Sequence, residues 1–221
     1  PISNDMPRMV ANLAKSAGHQ MVFEVYAPGG RTLLQHSRDP KLVEKINQQA
    51  WDFVVLQDQS QVPAFNQTQV ARDVYPAARS LRQRIKQAHP QSTVVFFGTM
   101  ARRNGDPDNA RDIPALGTYA GMQERLNQSY MSMTQENRAL LAPVGYAWEQ
   151  VRRQNPQIAL YSDDTHPNLT GSYLIACVFF ATFFQESAQG LPAPAQLGDV
   201  TAGYLQAVVD EVVLKNAAAW D

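Results

Sequence analysis

The sequence predicts an α/β protein in which helices cover both faces of a parallel sheet. Short apolar and β-branched runs alternate with longer segments of helical periodicity from one end of the chain to the other. These apolar runs are nearly continuous, as is typical of strands buried on both faces. Because no repeat, low-complexity linker or charge block divides the chain, we expect residues 1–221 to form a single domain.

The order of strands and helices follows from the same pattern. Strands are predicted at 21–26, 53–57, 93–98 and 140–144. Helices are predicted at 5–17, 40–50, 69–88 with a bend at Pro76, 118–139, 146–154, 169–186 and 202–217. Asp39 is expected to cap the second of these helices.

Composition excludes several classes of protein. Nineteen basic and twenty acidic residues give a formal net charge of -1, so we expect no nucleic-acid partner. The apolar run 173–184 is shorter than the roughly 20 residues that cross a bilayer, so it predicts a core helix and no membrane span. Cys177 is the only cysteine, which excludes an intrachain disulfide and indicates a small buried side chain.

The segment around Asp163 and His166 carries the clearest chemical signal. A catalytic histidine needs a carboxylate that fixes its tautomer and stabilises the imidazolium formed during proton transfer. Pro167 disfavours helical geometry at His166, so the pair is expected in a loop before a helix that begins at Leu169. Two other interpretations stay open: a polar loop that caps this helix, or metal ligation together with Asp164.

Four segments of the chain, taken in order, resemble the blocks of a known enzyme family. They are NDMPRMVANLAKSAGH from residue 4, APGGRTLLQH from residue 27, VVLQDQS from residue 54 and DDTHPNLTGSYLIACVFF from residue 163. Together they resemble the SGNH (GDSL-like) hydrolases, in a branch that carries Gln where many members carry Asn. The resemblance covers nearly the whole chain and implies a three-layer α/β/α sandwich with a flavodoxin-like strand order 2-1-3-4-5.

The resemblance also implies roles for individual residues. His166 would be the general base and Asp163 its orienting acid. Gly30 would donate its backbone N–H to the oxyanion hole, with Gly29 allowing the turn, and the Gln57 amide would be the second donor. Taken alone, a glycine pair after a strand more often marks a turn, and a Gln at a strand end is usually solvated. No metal or organic cofactor is expected.

The nucleophilic serine is expected outside the sequence. In the family it lies in a turn after the first strand, which by comparison falls one or two residues before Pro1. We therefore expect roughly 10 or more upstream residues that form the central first strand. Ser3 is the alternative nucleophile, although its position before Asn4 and Asp5 is more typical of a helix start.

The expected function is ester hydrolysis through an acyl-serine intermediate. Short acyl esters fit the family, including O-acetyl groups on carbohydrate, with lipid esters and thioesters as alternatives. The rival from another class is a non-catalytic carbohydrate- or ligand-binding protein that kept the frame and lost the serine. The sequence does not fix the oligomeric state or the cellular address, for which export is one expectation.

Overall fold

The computed structural model describes residues 3–220 as a mixed α/β fold with a three-stranded parallel sheet. The strands lie side by side in chain order: β1 (Phe53–Leu56), β2 (Thr93–Phe97) and β3 (Leu140–Ala142). β1 and β2 pair in parallel, with Phe53 opposite Thr93 and Leu56 opposite Phe96. The predicted α/β class, its parallel sheet and three of its strands are thereby confirmed.

Helices occupy most of the remaining chain. Within residues 3–220 they are α1 (Met6–Ser16), α2 (Leu33–His36), α3 (Pro40–Asn47), α4 (Gln67–Asp73), α5 (Tyr75–Ala88), α6 (Pro107–Ala110), α7 (Tyr119–Asn137), α8 (Val144–Gln154), α9 (Leu169–Phe184) and α10 (Asp199–Val209). Every predicted helix is present in some form. The short helices α2 and α6 were not predicted, since four residues are too few to produce a helical period.

Local chemistry explains where several helices begin. The Asp39 carboxylate accepts the Lys41 N–H at 3.0 Å and caps α3, as predicted. The predicted helix 69–88 is two helices, because the chain breaks at Val74 and restarts with Pro76 in the first turn of α5. Proline lacks the N–H that would continue the earlier helix, whereas it is tolerated in a first turn.

The predicted strand at 21–26 is wrong. No strand forms there, and Val22 is 80% exposed. In the expected strand order 2-1-3-4-5, the segment 21–26 would be strand 2, at the edge of the sheet, and strand 1 would be its only neighbour. None of residues 3–220 forms that neighbouring strand. An extended segment without a neighbour has no ladder of backbone hydrogen bonds, whatever its β propensity.

Two other elements end earlier than predicted. β3 stops at Ala142 because α8 begins at Val144, two residues earlier than expected. The last predicted helix, 202–217, is α10 followed by a π-helical segment, Asp210–Leu214. The type of each element is as predicted, strand for β3 and helix for α8 and the last region, and only the boundaries differ.

The chain forms two compact units, and each has its own core. In the first unit, residues 3–25 with 142–219, α9 is apolar on all sides and packs against α1, α8 and α10. In the second unit, residues 26–141 with Trp220, α7 packs against β2 and α5. The expectation of a single domain over 1–221 stays a prediction.

Gly171, in the first turn of α9, lies where no larger residue fits. A Cβ at this position would overlap the Leu160 carbonyl oxygen and the Trp148 ring. The Asn168 side chain caps α9 by accepting the Gly171 N–H at 2.9 Å. The start of α9, which follows the Asp163–His166 loop, therefore depends on the absence of a side chain here.

We expect Gly171→Ala to destabilise the protein by about 1–3 kcal/mol, the usual range for overpacking. Gly203→Ala in α10 is the matched control, because open space surrounds that position and alanine favours a helix. Thermal unfolding of both variants measures the difference. Equal unfolding temperatures for the two variants would contradict the steric argument.

Candidate active site

The loop that carries Asp163 and His166 is closed on itself in the first unit. Tyr161 and Pro167 form an isolated antiparallel bridge across its ends. The Ser162 N–H donates to the His166 carbonyl oxygen at 2.9 Å. The loop therefore returns on itself directly before α9, and its conformation is held by backbone bonds.

Inside this loop Asp163 and His166 form the predicted pair. Asp163 Oδ2 lies 2.8 Å from His166 Nδ1. Asp163 Oδ1 accepts the N–H groups of Thr165 at 2.6 Å and of His166 at 2.7 Å. These two backbone bonds, with the His166 ring, hold the pKa of Asp163 well below its usual range, so the carboxylate is charged at neutral pH.

His166 has the geometry of a general base. Donation from Nδ1–H to Asp163 leaves Nε2 with its lone pair, and Nε2 has no hydrogen-bond partner among residues 3–220. The side chain is 66% exposed, so a substrate can reach it. The Thr165 hydroxyl lies 3.0 Å from Nδ1 and 3.1 Å from Asp163 Oδ1, where it limits rotation of both groups.

The N-terminal turn lies against the same loop. Asn4 Nδ2 donates to the Pro167 carbonyl oxygen at 3.3 Å and to Ser172 Oγ at 2.9 Å. Ser172 Oγ in turn donates to the Ser3 carbonyl oxygen at 3.4 Å. The alternative nucleophile Ser3 thus belongs to a turn fixed next to the residue that follows His166.

This turn has an unusual backbone. Asn4 and Asp5 both adopt left-handed conformations, with φ values of 53° and 50°. Consecutive left-handed residues other than glycine are uncommon and cost free energy. The bonds from Asn4 to Pro167 and Ser172 offset this cost and keep the turn in place.

Gly30 and Gln57 lie in the second unit. Gly30 is left-handed, with φ of 71°, and its N–H has no partner among the described residues. Glycine is therefore needed at Gly30 itself, whereas the sequence predicted Gly29 as the residue that allows the turn. The Gln57 Oε1 atom is buried and also lacks a partner within residues 3–220.

A hydrogen bond connects the segments that contain these two residues. Asp58, which follows Gln57 at the end of β1, accepts the Leu33 N–H at 3.2 Å. Leu33 is three residues beyond Gly30 and begins α2. The glycine turn and the end of β1 are therefore held together by the Asp58 carboxylate.

An open cavity lies beside the Gly30 turn. Its lining residues are Arg31, Gln35, Arg38, Asp39 and Pro40. Most of the side chains that a ligand would meet there are charged or carry an amide. Such a lining favours a polar ligand over a hydrocarbon chain.

The hydrogen bond between Asp163 and His166 is predicted by the sequence, whereas the contacts of three other residues, Asn4 and Thr165 in the first unit and Asp58 in the second, are not. From the sequence, Asn4 is expected only as part of a helix start, and no role is predicted for Thr165 or Asp58. A signal existed for Asp58, since a carboxylate directly after an apolar strand is unusual in a buried position. For Asn4 no sequence signal existed, because its partners are more than 160 residues away.

Two further classes of site are absent from the described part of the chain. Within residues 3–220 no three His, Cys, Asp or Glu side chains come together as a group that could hold a metal ion. The helices of the same residues include none with the length and apolar character needed to cross a membrane.

Neither a protein-family model nor a curated protein sequence matches the chain. Its fold is similar to that of a DUF4886 family protein from Bacteroides uniformis, with a TM-score of 0.76, 14% identity and coverage of 96% of this chain and 92% of the other. It is also similar to a protein described as a candidate SGNH hydrolase from Slackia heliotrinireducens, with a TM-score of 0.62, 29% identity and coverage of 81% of this chain and 91% of the other. These similarities agree with the α/β/α fold and support the SGNH superfamily.

Proposed function

We propose that this protein is a serine-dependent ester hydrolase of the SGNH type. The observation that carries the proposal is the Asp163–His166 pair, with its 2.8 Å bond and an accessible Nε2. Similarity to a candidate SGNH hydrolase suggests a hydrolase in general, and the Asp163–His166 pair supports the narrower proposal of acyl transfer through a serine.

The reaction would follow the general course of serine hydrolases. The serine Oγ attacks the ester carbonyl carbon while His166 Nε2 takes the serine proton, and a tetrahedral oxyanion forms. The imidazolium then gives this proton to the leaving alkoxide as the C–O bond breaks. Water attacks the acyl-enzyme by the same route and releases the carboxylic acid and the serine. Asp163 stabilises the imidazolium in both halves.

The nucleophile would come from the segment next to the N-terminal turn. The family resemblance puts the serine just before Pro1, and the Asn4 bonds hold this turn beside Pro167 and therefore near His166. Ser3 is the alternative within the same turn.

Gly30 and Gln57 would stabilise the oxyanion. The Gly30 N–H is unpaired among the described residues, as a donor reserved for a substrate must be. Gln57 presents the same amide donor as the usual Asn of the family, on a stem that is one methylene longer.

The substrates we propose are acyl esters of polar alcohols, including O-acetylated carbohydrate. The polar lining formed by Arg31, Gln35 and Arg38 supports this class over lipid esters. A short acyl group needs no long apolar channel. A set of acetyl, butyryl and longer acyl esters on sugar and lipid alcohols would rank these substrates by kcat/KM.

We expect a fluorophosphonate probe to label the full-length protein on a serine just upstream of Pro1, and His166→Ala to abolish both labelling and ester turnover. The reason is that the serine needs His166 as a base. Peptide mass mapping identifies the labelled residue, and His19→Ala, which removes a histidine paired with Glu186, is the control. Labelling at Ser3 would move the nucleophile to that residue; no labelling of folded protein would favour the non-catalytic binding protein.

Asp163→Asn should lower kcat by about 10⁴-fold, as when the orienting aspartate of another serine hydrolase is replaced by asparagine. The amide cannot fix the tautomer that leaves Nε2 as acceptor. Asp164→Asn changes the adjacent carboxylate and is expected to leave kcat within about twofold. Steady-state kinetics of the two variants give the comparison, and equal losses would refute the orienting role of Asp163.

Gln57→Ala should lower kcat by about 10²–10³-fold, the range seen when one oxyanion donor is removed. KM should change little, because the donor acts on the charge that develops in the transition state. Gln48→Ala, at the C-terminal end of α3, removes an equal side chain elsewhere in the same unit. A Gln57 variant with normal kcat would assign that amide a structural role.

A further inference from the structure

Asp58 is a buried carboxylate that the proposed reaction does not use. It is 3% exposed and lies two residues after the end of β1 in the second unit. No cationic side chain pairs with it among residues 3–220. Burying an ionised carboxylate without a counter-ion costs free energy, and hydrogen bonds offset this cost only in part. The presence of Asp58 at this position therefore calls for an explanation.

Among the described residues, the Asp58 carboxylate accepts hydrogen bonds only from backbone N–H groups. Oδ1 accepts the Leu33 N–H at 3.2 Å and the Gln59 N–H at 2.7 Å. The Asp58 N–H donates to the Tyr130 hydroxyl oxygen at 3.3 Å. Oδ2 is buried and has no partner among the described residues, so half of the acceptor capacity of the carboxylate is unused.

Burial makes this carboxylate unfavourable for the folded state. It raises the pKa of Asp58 from 3.8 to about 6, against the opposing effect of the Leu33 and Gln59 N–H groups. Because the folded state binds the proton more tightly than the unfolded chain, the resulting stability is complete below about pH 3.8 and is lost as the pH rises through about 6. Tyr130 is the titratable group in contact with Asp58, and burial raises its pKa also.

Asp58 lies close in sequence or by hydrogen bond to both proposed oxyanion donors, Gly30 and Gln57. Gln57 immediately precedes it, and Leu33 lies three residues after Gly30. Gly30 itself has nothing within 4 Å of the site of a Cβ, so packing does not fix the turn there. The bond from Leu33 to Asp58 is the hydrogen bond that ties this turn to the end of β1.

We infer that Asp58 is a positioning residue for the oxyanion hole: its carboxylate holds the Gly30 turn and the Gln57 strand end in one fixed arrangement. This inference rests on the proposed function, in which Gly30 and Gln57 are the oxyanion donors. A charged acceptor holds an N–H more tightly than a neutral one, which accounts for an aspartate where asparagine would be less costly to bury. The site retains the carboxylate at the expense of stability.

The test uses Asp58→Asn in the full-length protein, with Asp73→Asn as the control. Asp73 is on α4 in the same unit, where it pairs with Arg72. Three experiments are done on each protein. Steady-state kinetics on a short acetyl ester give kcat and KM, thermal unfolding is followed at pH 4 and 7.5, and amide hydrogen exchange is measured over residues 27–36. Asparagine keeps an oxygen acceptor, so the fold is expected to survive; Asp58→Ala extends the series by removing it.

For Asp58→Asn we expect kcat to fall about tenfold with KM within about twofold, since one charge-assisted bond is weakened. Exchange over residues 29–33 should be faster. The unfolding temperature of the wild type should fall relative to that of the variant as the pH rises from 4 to 7.5. Asp73→Asn should match the wild type in kcat, KM and exchange.

Two results would overturn the inference. One is an Asp58→Asn enzyme with unchanged kcat, and the other is a loss of kcat that follows a general loss of stability without faster exchange over residues 29–33. A wild-type protein with neither turnover nor probe labelling would overturn the proposed function and the catalytic part of this inference together. Amide hydrogen exchange would still test the structural part of the inference in that case. Faster exchange over residues 29–33 in Asp58→Asn would show that Asp58 holds the turn even though the protein is not a hydrolase.

Discussion

In the first unit, the orientation of His166 depends on one carboxylate, that of Asp163. Its Oδ1 accepts the backbone N–H groups of Thr165 and His166, and its Oδ2 lies 2.8 Å from His166 Nδ1. The same bonds that shape the loop keep the carboxylate charged, because they favour the ionised form. The Asp163 side chain therefore contributes to loop geometry, histidine tautomer and local charge together, in a loop whose ends are closed by backbone bonds.

Most of the fold was predictable because it follows from local patterns. The helices and the strands β1, β2 and β3 are defined by periodicity, capping residues and prolines, all of which are visible over a few positions. The segment 21–26 has an equally good strand composition and yet forms none. A strand requires a partner, and composition does not reveal whether the partner is there.

Within the candidate site, the hydrogen bond between Asp163 and His166 was predictable for the same reason. Asp163 and His166 are three residues apart, so their pairing can be inferred from spacing and chemistry. The contribution of Asn4 depends on bonds to Pro167 and Ser172, and that of Asp58 on a bond to Leu33. Such contacts across the sequence are determined by packing, which a motif does not encode.

The local construction of the Asp163–His166 loop also affects the order of folding. The hydrogen bonds that orient His166 join it to Ser162, Asp163 and Thr165, no more than four positions away, so the entropy of loop closure is small. Contacts of such short range can form early and re-form quickly after local opening. The turn at Asn4 has the opposite character, because it reaches its partners only when both ends of the first unit have come together. The Asp163–His166 pair would therefore be assembled before the turn at Asn4 reaches it.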